Sequence, residues 1–137
     1  MESHLIALSR YRMERAAESL LVAEETLSSG HYRESLNRSY YAVFYAICAT
    51  NSVNGFDSRK HSGVISYFIK TFLKSGSIGF SKEMSAIIRD TRLLREKSDY
   101  QDFFEASKSD AEEQLANAKR FVETVSAFLA DKLTPDA

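Results

Sequence analysis

Proline and glycine are scarce in this chain of 137 residues, which has one proline and five glycines. Because Pro135 is the only proline, residues 1–134 contain none of the residues that most strongly terminate a helix. A fold built from many short strands needs frequent tight turns, which glycine and proline usually provide. The composition therefore favours an all-α fold.

Cysteine is equally rare, and tryptophan is absent. The single cysteine, Cys48, excludes an internal disulfide framework and a thiolate metal cluster. It lies in the apolar stretch 46–49, where we expect a buried, unreactive thiol. No apolar run approaches the roughly 18 residues of a transmembrane helix, and residues 1–4 do not resemble the start of a signal peptide. We therefore expect a cytoplasmic protein with no membrane segment, no cofactor and no metal.

Charge is unevenly distributed along the chain. Residues 31–98 hold eleven Lys and Arg against five Asp and Glu, whereas residues 1–30 hold three against five and residues 99–137 hold four against nine. A basic centre of this kind could bind an anionic ligand such as RNA or a nucleotide. Alternatively, the acidic terminal helices neutralise the basic central ones within the fold. The sequence leaves both interpretations open.

Apolar residues recur at the three- and four-residue spacing of amphipathic helices in five segments. The predicted helices cover residues 2–28, 31–51, 58–75 and 81–98, and a fifth runs from a cap at Ser107 to about residue 132. The second segment is apolar around its whole circumference, which places it at the centre of a bundle. The connections are short, so we predict one domain, residues 1–137, folded as an up-and-down bundle of four to five helices.

The ends of the predicted helices carry recognisable signals. Gly30 should cap the first helix in a left-handed conformation, and Ser58, Ser81 and Ser107 should cap the starts of the third, fourth and fifth. Asp110 follows the last of these serines in a pattern that resembles a capping box. The segment 100–106 is predicted to be irregular, and its Phe103 and Phe104 are expected to plug the bundle.

The common catalytic signatures are absent from the sequence. There is no glycine-rich phosphate loop, no His-Glu-x-x-His and no Gly-x-Ser-x-Gly. The three histidines are far apart in the sequence. The acidic pair Glu24 and Glu25 lacks the Glu-x-x-His that a di-iron carboxylate bundle requires. Any chemistry must therefore come from a less familiar arrangement.

Three short segments, taken together, carry a family resemblance. They are RSYYAVF at 38–44, RKHSGV at 59–64 and REKSDY at 95–100. In this order and spacing they resemble the HEPN domain family, in the subgroup whose fourth helix ends in an Arg…Asp-Tyr sequence. The resemblance covers nearly the whole chain and is clearest between residues 33 and 100.

The resemblance implies a four- to five-helix bundle that is often a homodimer. Such domains are frequently encoded beside a small nucleotidyltransferase as a toxin–antitoxin-like pair. Many HEPN proteins are metal-independent ribonucleases that use an arginine followed after four to six residues by a histidine. In that chemistry the arginine stabilises charge on the phosphate, while general acid–base catalysis uses the 2′-OH of the RNA itself.

This chain departs from the family pattern at the catalytic histidine. No histidine follows Arg89, Arg92 or Arg95 at the required distance, and Asp99 and Tyr100 come after the last of these arginines. A carboxylic acid with an ordinary pKa near 4 is a poor proton donor at neutral pH. The candidates for any non-standard catalysis are Arg95, Asp99 and Tyr100.

Seven residues are predicted to bind RNA or a nucleotide. They are Arg38, Tyr41, Arg59, Lys60, His61, Arg92 and Arg95. For Arg95 and Asp99, a simple i,i+4 ion pair at a helix end is the alternative interpretation. For His61, the alternative is a half-buried histidine on the apolar stripe of the third helix. In related toxins a tyrosine near this site receives AMP from the partner transferase, and the resemblance implies that role for Tyr100.

Together these features predict a HEPN-type module that binds RNA or a nucleotide and acts as the toxin-like partner of a nucleotidyltransferase. One alternative is a non-enzymatic helical domain for dimerisation or protein binding. A second is a weak, metal-independent endoribonuclease.

Overall fold

Five α-helices pack into a bundle in the computed structural model, which describes residues 3–133. In chain order the helices are α1 (Ser3–Ser28), α2 (Tyr32–Asn51), α3 (His61–Phe68), α4 (Ser81–Tyr100) and α5 (Lys108–Lys132). This range contains no strand, which confirms the all-α prediction. Every helix in this range is too short or too polar to span a bilayer. Pro135 and the predicted helix start at residue 2 lie outside the described residues.

Helix α2 lies at the centre of the bundle, as its all-round apolar character predicts, and it packs against each of the other four helices. Small side chains allow this close approach, because Ala42, Ala46 and Ala49 are fully buried along it. Larger residues such as Val43 and Ile47 fill the remaining space between the helices. The sequence thus places its smallest and most apolar residues on the one helix that has neighbours on every side.

Two buried serines fix α1 against α2. The hydroxyl of Ser9 donates to the carbonyl of Ala49 at 2.8 Å, and the hydroxyl of Ser35 donates to the carbonyl of Ala23 at the same distance. Both serines are fully buried, so these hydrogen bonds satisfy hydroxyls that would otherwise be costly to remove from water. The bonds lie near opposite ends of the α1–α2 contact and hold the two antiparallel helices in register.

Aromatic rings fill the space between α3 and α5. Phe68 and Phe121 are both fully buried, and their ring centroids lie 5.8 Å apart. Phe72 contacts Phe128 edge to face at 5.8 Å. After Phe68 the helix widens into a π-helical turn, Ile69–Leu73, which the sequence did not indicate.

Two predicted helix caps are confirmed and two are wrong. Gly30 has a φ of 79° after α1, and Ser107 accepts a hydrogen bond from the backbone N–H of Asp110 at 2.9 Å. Ser58 instead accepts from the backbone N–H of Lys60 within a turn, at 3.3 Å, so α3 begins three residues later than predicted. Ser81 is the first residue of α4, and the left-handed residue before it caps no N–H with its side chain.

The prediction that Phe103 plugs the bundle is wrong. Its side chain is 99% exposed, whereas Phe104 is half-buried. The cause is Arg33 at the start of α2, whose guanidinium donates to three backbone carbonyls at the end of α4 and in the following loop. Because the loop backbone is held against α2 by these bonds, the ring of Phe103 faces solvent. Helix α4 also continues two residues beyond its predicted end, to Tyr100.

Phe121 is fully buried and Phe103 is exposed, so replacing each of them tests the packing of the core. Replacing Phe121 by alanine should lower the free energy of unfolding by about 3–5 kcal/mol, because it removes a fully buried ring and leaves a cavity. The matched change Phe103→Ala should alter it by no more than about 0.5 kcal/mol, since that ring is exposed. Urea denaturation followed by circular dichroism measures both. Similar decreases for the two variants would contradict this packing.

Candidate functional site

The guanidinium of Arg95 lies against aromatic rings from α2 at one side of the bundle. Its central carbon is 5.1 Å from the ring centroid of Tyr40, 5.5 Å from that of Tyr41 and 6.0 Å from that of Tyr100. The Arg95 side chain is only 15% exposed. Cation–π contacts of this kind are stronger when the cation is partly desolvated, so the rings of α2 hold this guanidinium in a defined place.

His61, the first residue of α3, lies on the same rings. Its Nδ1 is 2.9 Å from the hydroxyl oxygen of Tyr40, and its ring stacks on Phe44 with centroids 4.0 Å apart. It also meets the ring of Tyr41 edge to face, at 6.0 Å. The fold therefore brings a histidine beside Arg95, although the sequence after Arg95 holds none. We use the name arginine cluster for these residues and their flanking charges: Arg38, Tyr40, Tyr41, His61, Arg92, Arg95, Asp99 and Tyr100.

Burial favours the uncharged forms of both Tyr40 and His61 at the centre of the cluster. Burial raises the pKa of Tyr40 to about 12, in spite of the opposing charges of Arg92 and Arg95. The pKa of His61 is lowered from its usual 6.5, first by burial and then by repulsion from the same two arginines. At neutral pH the imidazole is therefore neutral. If the Tyr40 hydroxyl donates to Nδ1, the ring proton lies on Nε2.

Two ion pairs within α4 accompany the cluster. Nε of Arg95 lies 2.9 Å from Oδ2 of Asp99, at an angle that does not make it a hydrogen bond, and Arg92 pairs with Glu96 at 3.1 Å. The predicted i,i+4 ion pair is thus present. Nη2 of Arg95 also lies 3.4 Å from the hydroxyl of Tyr41. These contacts engage Nε and Nη2, whereas a guanidinium carries five N–H donors, so donors remain for a ligand.

Arg38 joins the cluster from α2. Its guanidinium carbon is 5.0 Å from the ring centroid of Tyr41, so Arg38 and Arg95 share that ring. Its Nε and Nη2 donate to the side-chain oxygen of Asn37, at 3.0 and 2.7 Å. The partner of Arg38 within the fold is thus an amide oxygen rather than a carboxylate. Beside it, α1, α2 and α4 enclose a cleft of about 530 Å³ that also contains Asp99.

The structure separates some predicted site residues from the cluster and adds others. Arg59 and Lys60 are exposed on the turn before α3, outside the ring contacts described above. Tyr40 is not among the predicted site residues and is fully buried, yet its hydroxyl meets His61. Arg33 was missed altogether, because a single arginine at a helix start carries no sequence signal of the loop that it holds.

The HEPN domain profile matches residues 9–128. The chain belongs to the HEPN domain family.

Relatives of nearly the same length support this assignment. A UPF0332 protein of Thermotoga maritima is 28% identical over 121 residues, which are 88% of this chain and 90% of that protein. A UPF0332 protein of Gloeobacter violaceus is 32% identical over 119 residues, 86% of this chain and 93% of that protein. A protein of Methanocaldococcus jannaschii, provisionally named a toxin, is 29% identical over 120 residues, 88% of this chain and 80% of that protein.

The environment of His61 makes a testable prediction. Its imidazole should titrate below pH 6.5 in an NMR experiment, and Arg95→Met should raise that midpoint by removing a neighbouring positive charge. Since the unfolded chain binds the proton more tightly than the folded one, His61 stabilises the fold fully above about pH 6.5. That contribution disappears as the pH falls toward the lowered pKa. A midpoint at or above 6.5 in the wild-type protein would contradict this description.

Proposed function

We propose that this HEPN domain binds the phosphates of single-stranded RNA or of a nucleotide at the arginine cluster. The observation that carries the proposal is the guanidinium of Arg95, held on tyrosine rings with donors still free for a ligand. Guanidinium groups match phosphate oxygens in geometry and charge, and a group already fixed in place loses little entropy on binding.

The neighbouring charges support phosphate binding at this place. Arg38 shares the Tyr41 ring with Arg95, and Arg92 is close enough for its charge to lower the pKa of His61. Elsewhere in the fold, basic residues are paired between helices, as Lys119 is with Glu24. Internal neutralisation therefore accounts for part of the uneven charge. The cluster combines three arginines on two adjacent helices with two paired carboxylates, Asp99 and Glu96, which leaves an excess of positive charge.

The biological setting that we propose is the toxin-like partner of a small nucleotidyltransferase, acting as a homodimer. The family assignment and the provisional toxin name of a relative support it. Tyr100 is 73% exposed at the end of α4, so its hydroxyl is accessible to an enzyme that would transfer AMP to it.

Replacing Arg95 tests the binding proposal. Arg95→Ala should weaken binding to a short single-stranded RNA by about tenfold or more, because it removes charge-assisted hydrogen bonds to phosphate. The slope of log affinity against log salt concentration should fall by about 0.7 for each phosphate that the variant no longer neutralises. Fluorescence anisotropy over a range of salt concentrations measures both quantities.

The matched control is Arg120→Ala, which makes the same change of charge on α5, where the side chain is exposed and paired with Glu83. It should leave RNA affinity nearly unchanged. If the wild-type protein shows no salt-sensitive binding of RNA or nucleotide, the proposal fails. A non-enzymatic role in dimerisation or protein binding is then the better interpretation.

One observation favours weak ribonuclease activity as a second candidate function. His61 and Arg95 lie on the rings of the same two tyrosines. An arginine and a histidine are thus brought together from two helices, whereas the family's nucleases carry both in one segment. A neutral imidazole can accept the proton of a ribose 2′-OH as its oxygen attacks the adjacent phosphorus and displaces the 5′-oxygen, which takes a proton from water. Arg95 would stabilise the charge on the phosphate oxygens.

Cleavage of RNA in the presence of EDTA tests this second function. We expect slow cleavage that drops by about 10²-fold or more in His61→Asn, the decrease expected for a general base. The same variant should retain most of the RNA binding, whereas Arg95→Ala should impair both binding and cleavage. Cleavage that persists in both variants would identify a contaminating nuclease and exclude this function.

A further inference from the structure

Phe103 is the most exposed large apolar side chain among residues 3–133, at 99% of its maximum. Burial of such a ring usually contributes about 1.5–3 kcal/mol to stability, and here that contribution is absent. The next residue, Phe104, is half-buried. The exposed ring therefore has no part in holding the fold together.

The loop that carries Phe103 is nevertheless well fixed. The guanidinium of Arg33 donates to the carbonyls of Ser98 and Phe104 and lies 3.5 Å from that of Gln101. The backbone N–H of Phe104 donates to the carbonyl of Gln101 at 3.2 Å, which closes a tight turn around Phe103. Because the backbone of the turn is already fixed, little conformational entropy is lost when a ligand stacks on the ring.

Phe103 and the arginine cluster border neighbouring clefts. The ring lines a cleft of about 500 Å³ between the start of α2 and the α4–α5 loop. That cleft shares Arg33 and Glu34 with the one that contains Arg38 and Asp99. Along α2, Arg38 lies five residues beyond Arg33, which is about 7.5 Å of helix. A ligand that reaches from Arg38 to Arg33 therefore approaches the cleft beside Phe103.

The charge differs between the arginine cluster and the cleft beside Phe103. The cluster holds three arginines and the carboxylate of Asp99, whereas Asp102 and Glu105 line only the cleft beside Phe103, which shares Arg33 and Glu34 with its neighbour. Phosphates are repelled by these carboxylates, but a nucleobase is uncharged and stacks readily on an aromatic face. The charge pattern thus orients a nucleotide, with its phosphate at the arginines and its base at the ring.

We propose that Phe103 is a stacking platform for a nucleobase whose adjacent phosphate is bound by the arginine cluster. This inference rests on the proposed function and adds that the ligand is single-stranded, with at least one unstacked base. Double-stranded RNA would not fit, because its bases are paired and their faces are covered. The acidic residues also limit the ligand to a short contact, since a longer phosphate backbone could not continue past the ring.

The test compares a single-stranded RNA heptamer with a ribose-phosphate heptamer that lacks the bases. In the wild-type protein the RNA should bind more tightly. Phe103→Ala should weaken RNA binding by about 5- to 150-fold, which corresponds to the usual worth of one stacked base. It should leave the salt dependence of RNA binding and the affinity for the abasic chain unchanged. Phe103→Trp should retain RNA binding, because tryptophan also provides an aromatic face.

Phe80→Ala is the matched control, because Phe80 is also highly exposed and precedes α4 at the end opposite Tyr100, about 30 Å away along the helix. It should bind RNA like the wild type. If Phe103→Ala and Phe80→Ala both bind RNA like the wild type, with salt-sensitive affinity retained, the stacking inference is overturned while phosphate binding at the cluster stands. If Phe103→Ala changes only self-association in sedimentation, the ring is a protein contact and the inference is equally overturned. Absence of any oligonucleotide binding overturns the proposed function and this inference together.

Discussion

The burial of α2 on every side is the constraint on which the rest of the structure depends. A helix surrounded by four others must present small residues where backbones approach closely, and its alanines do so. It must also satisfy polar groups in the interior, which the Ser9 and Ser35 hydroxyls achieve by bonding to carbonyls across the α1–α2 contact. The same helix carries Arg38, Tyr40 and Tyr41, so the element that organises the core also positions the candidate site.

The arginine cluster follows from the way in which α2 is buried. Tyr40 lies in the core, yet its hydroxyl reaches the surface layer and meets His61, which is the first residue of α3. The start of α3 is thereby tied to α2, and the resulting wall of rings receives the guanidinium of Arg95 from α4. An arginine that is only 15% exposed requires compensation, and the rings together with Asp99 provide it. A phosphate would bind the remaining N–H donors of Arg95 without any movement of the tyrosine rings.

Local sequence patterns predicted those parts of the protein that depend on neighbours along the chain. The stripes of α4 and α5, the left-handed Gly30 and the Ser107 cap all belong to this class, and they are confirmed. The contacts that the sequence could not predict join distant segments. Nothing near His61 indicates that Arg95 will lie on the same rings. The outward position of Phe103 likewise depends on Arg33, which lies in another helix. The prediction that the Phe103 ring lies inside the bundle was based on hydrophobicity alone. Hydrophobicity carries no information about the hydrogen bonds of the loop backbone.

The position of His61 also decides how this chain compares with the family's nuclease arrangement. There, arginine and histidine come from one helical segment, whereas here the histidine arrives from α3 and one of its nitrogens already faces Tyr40. Burial raises the pKa of Tyr40 to about 12, so its phenol stays protonated near neutral pH. Only Nε2 of His61 is left for a substrate, and the half-buried ring restricts approach to it. Phosphate binding requires none of these proton transfers. The geometry therefore supports binding more strongly than cleavage. The defining feature of the site is the guanidinium of Arg95 on the rings of Tyr40 and Tyr41, rather than a catalytic pair of arginine and histidine.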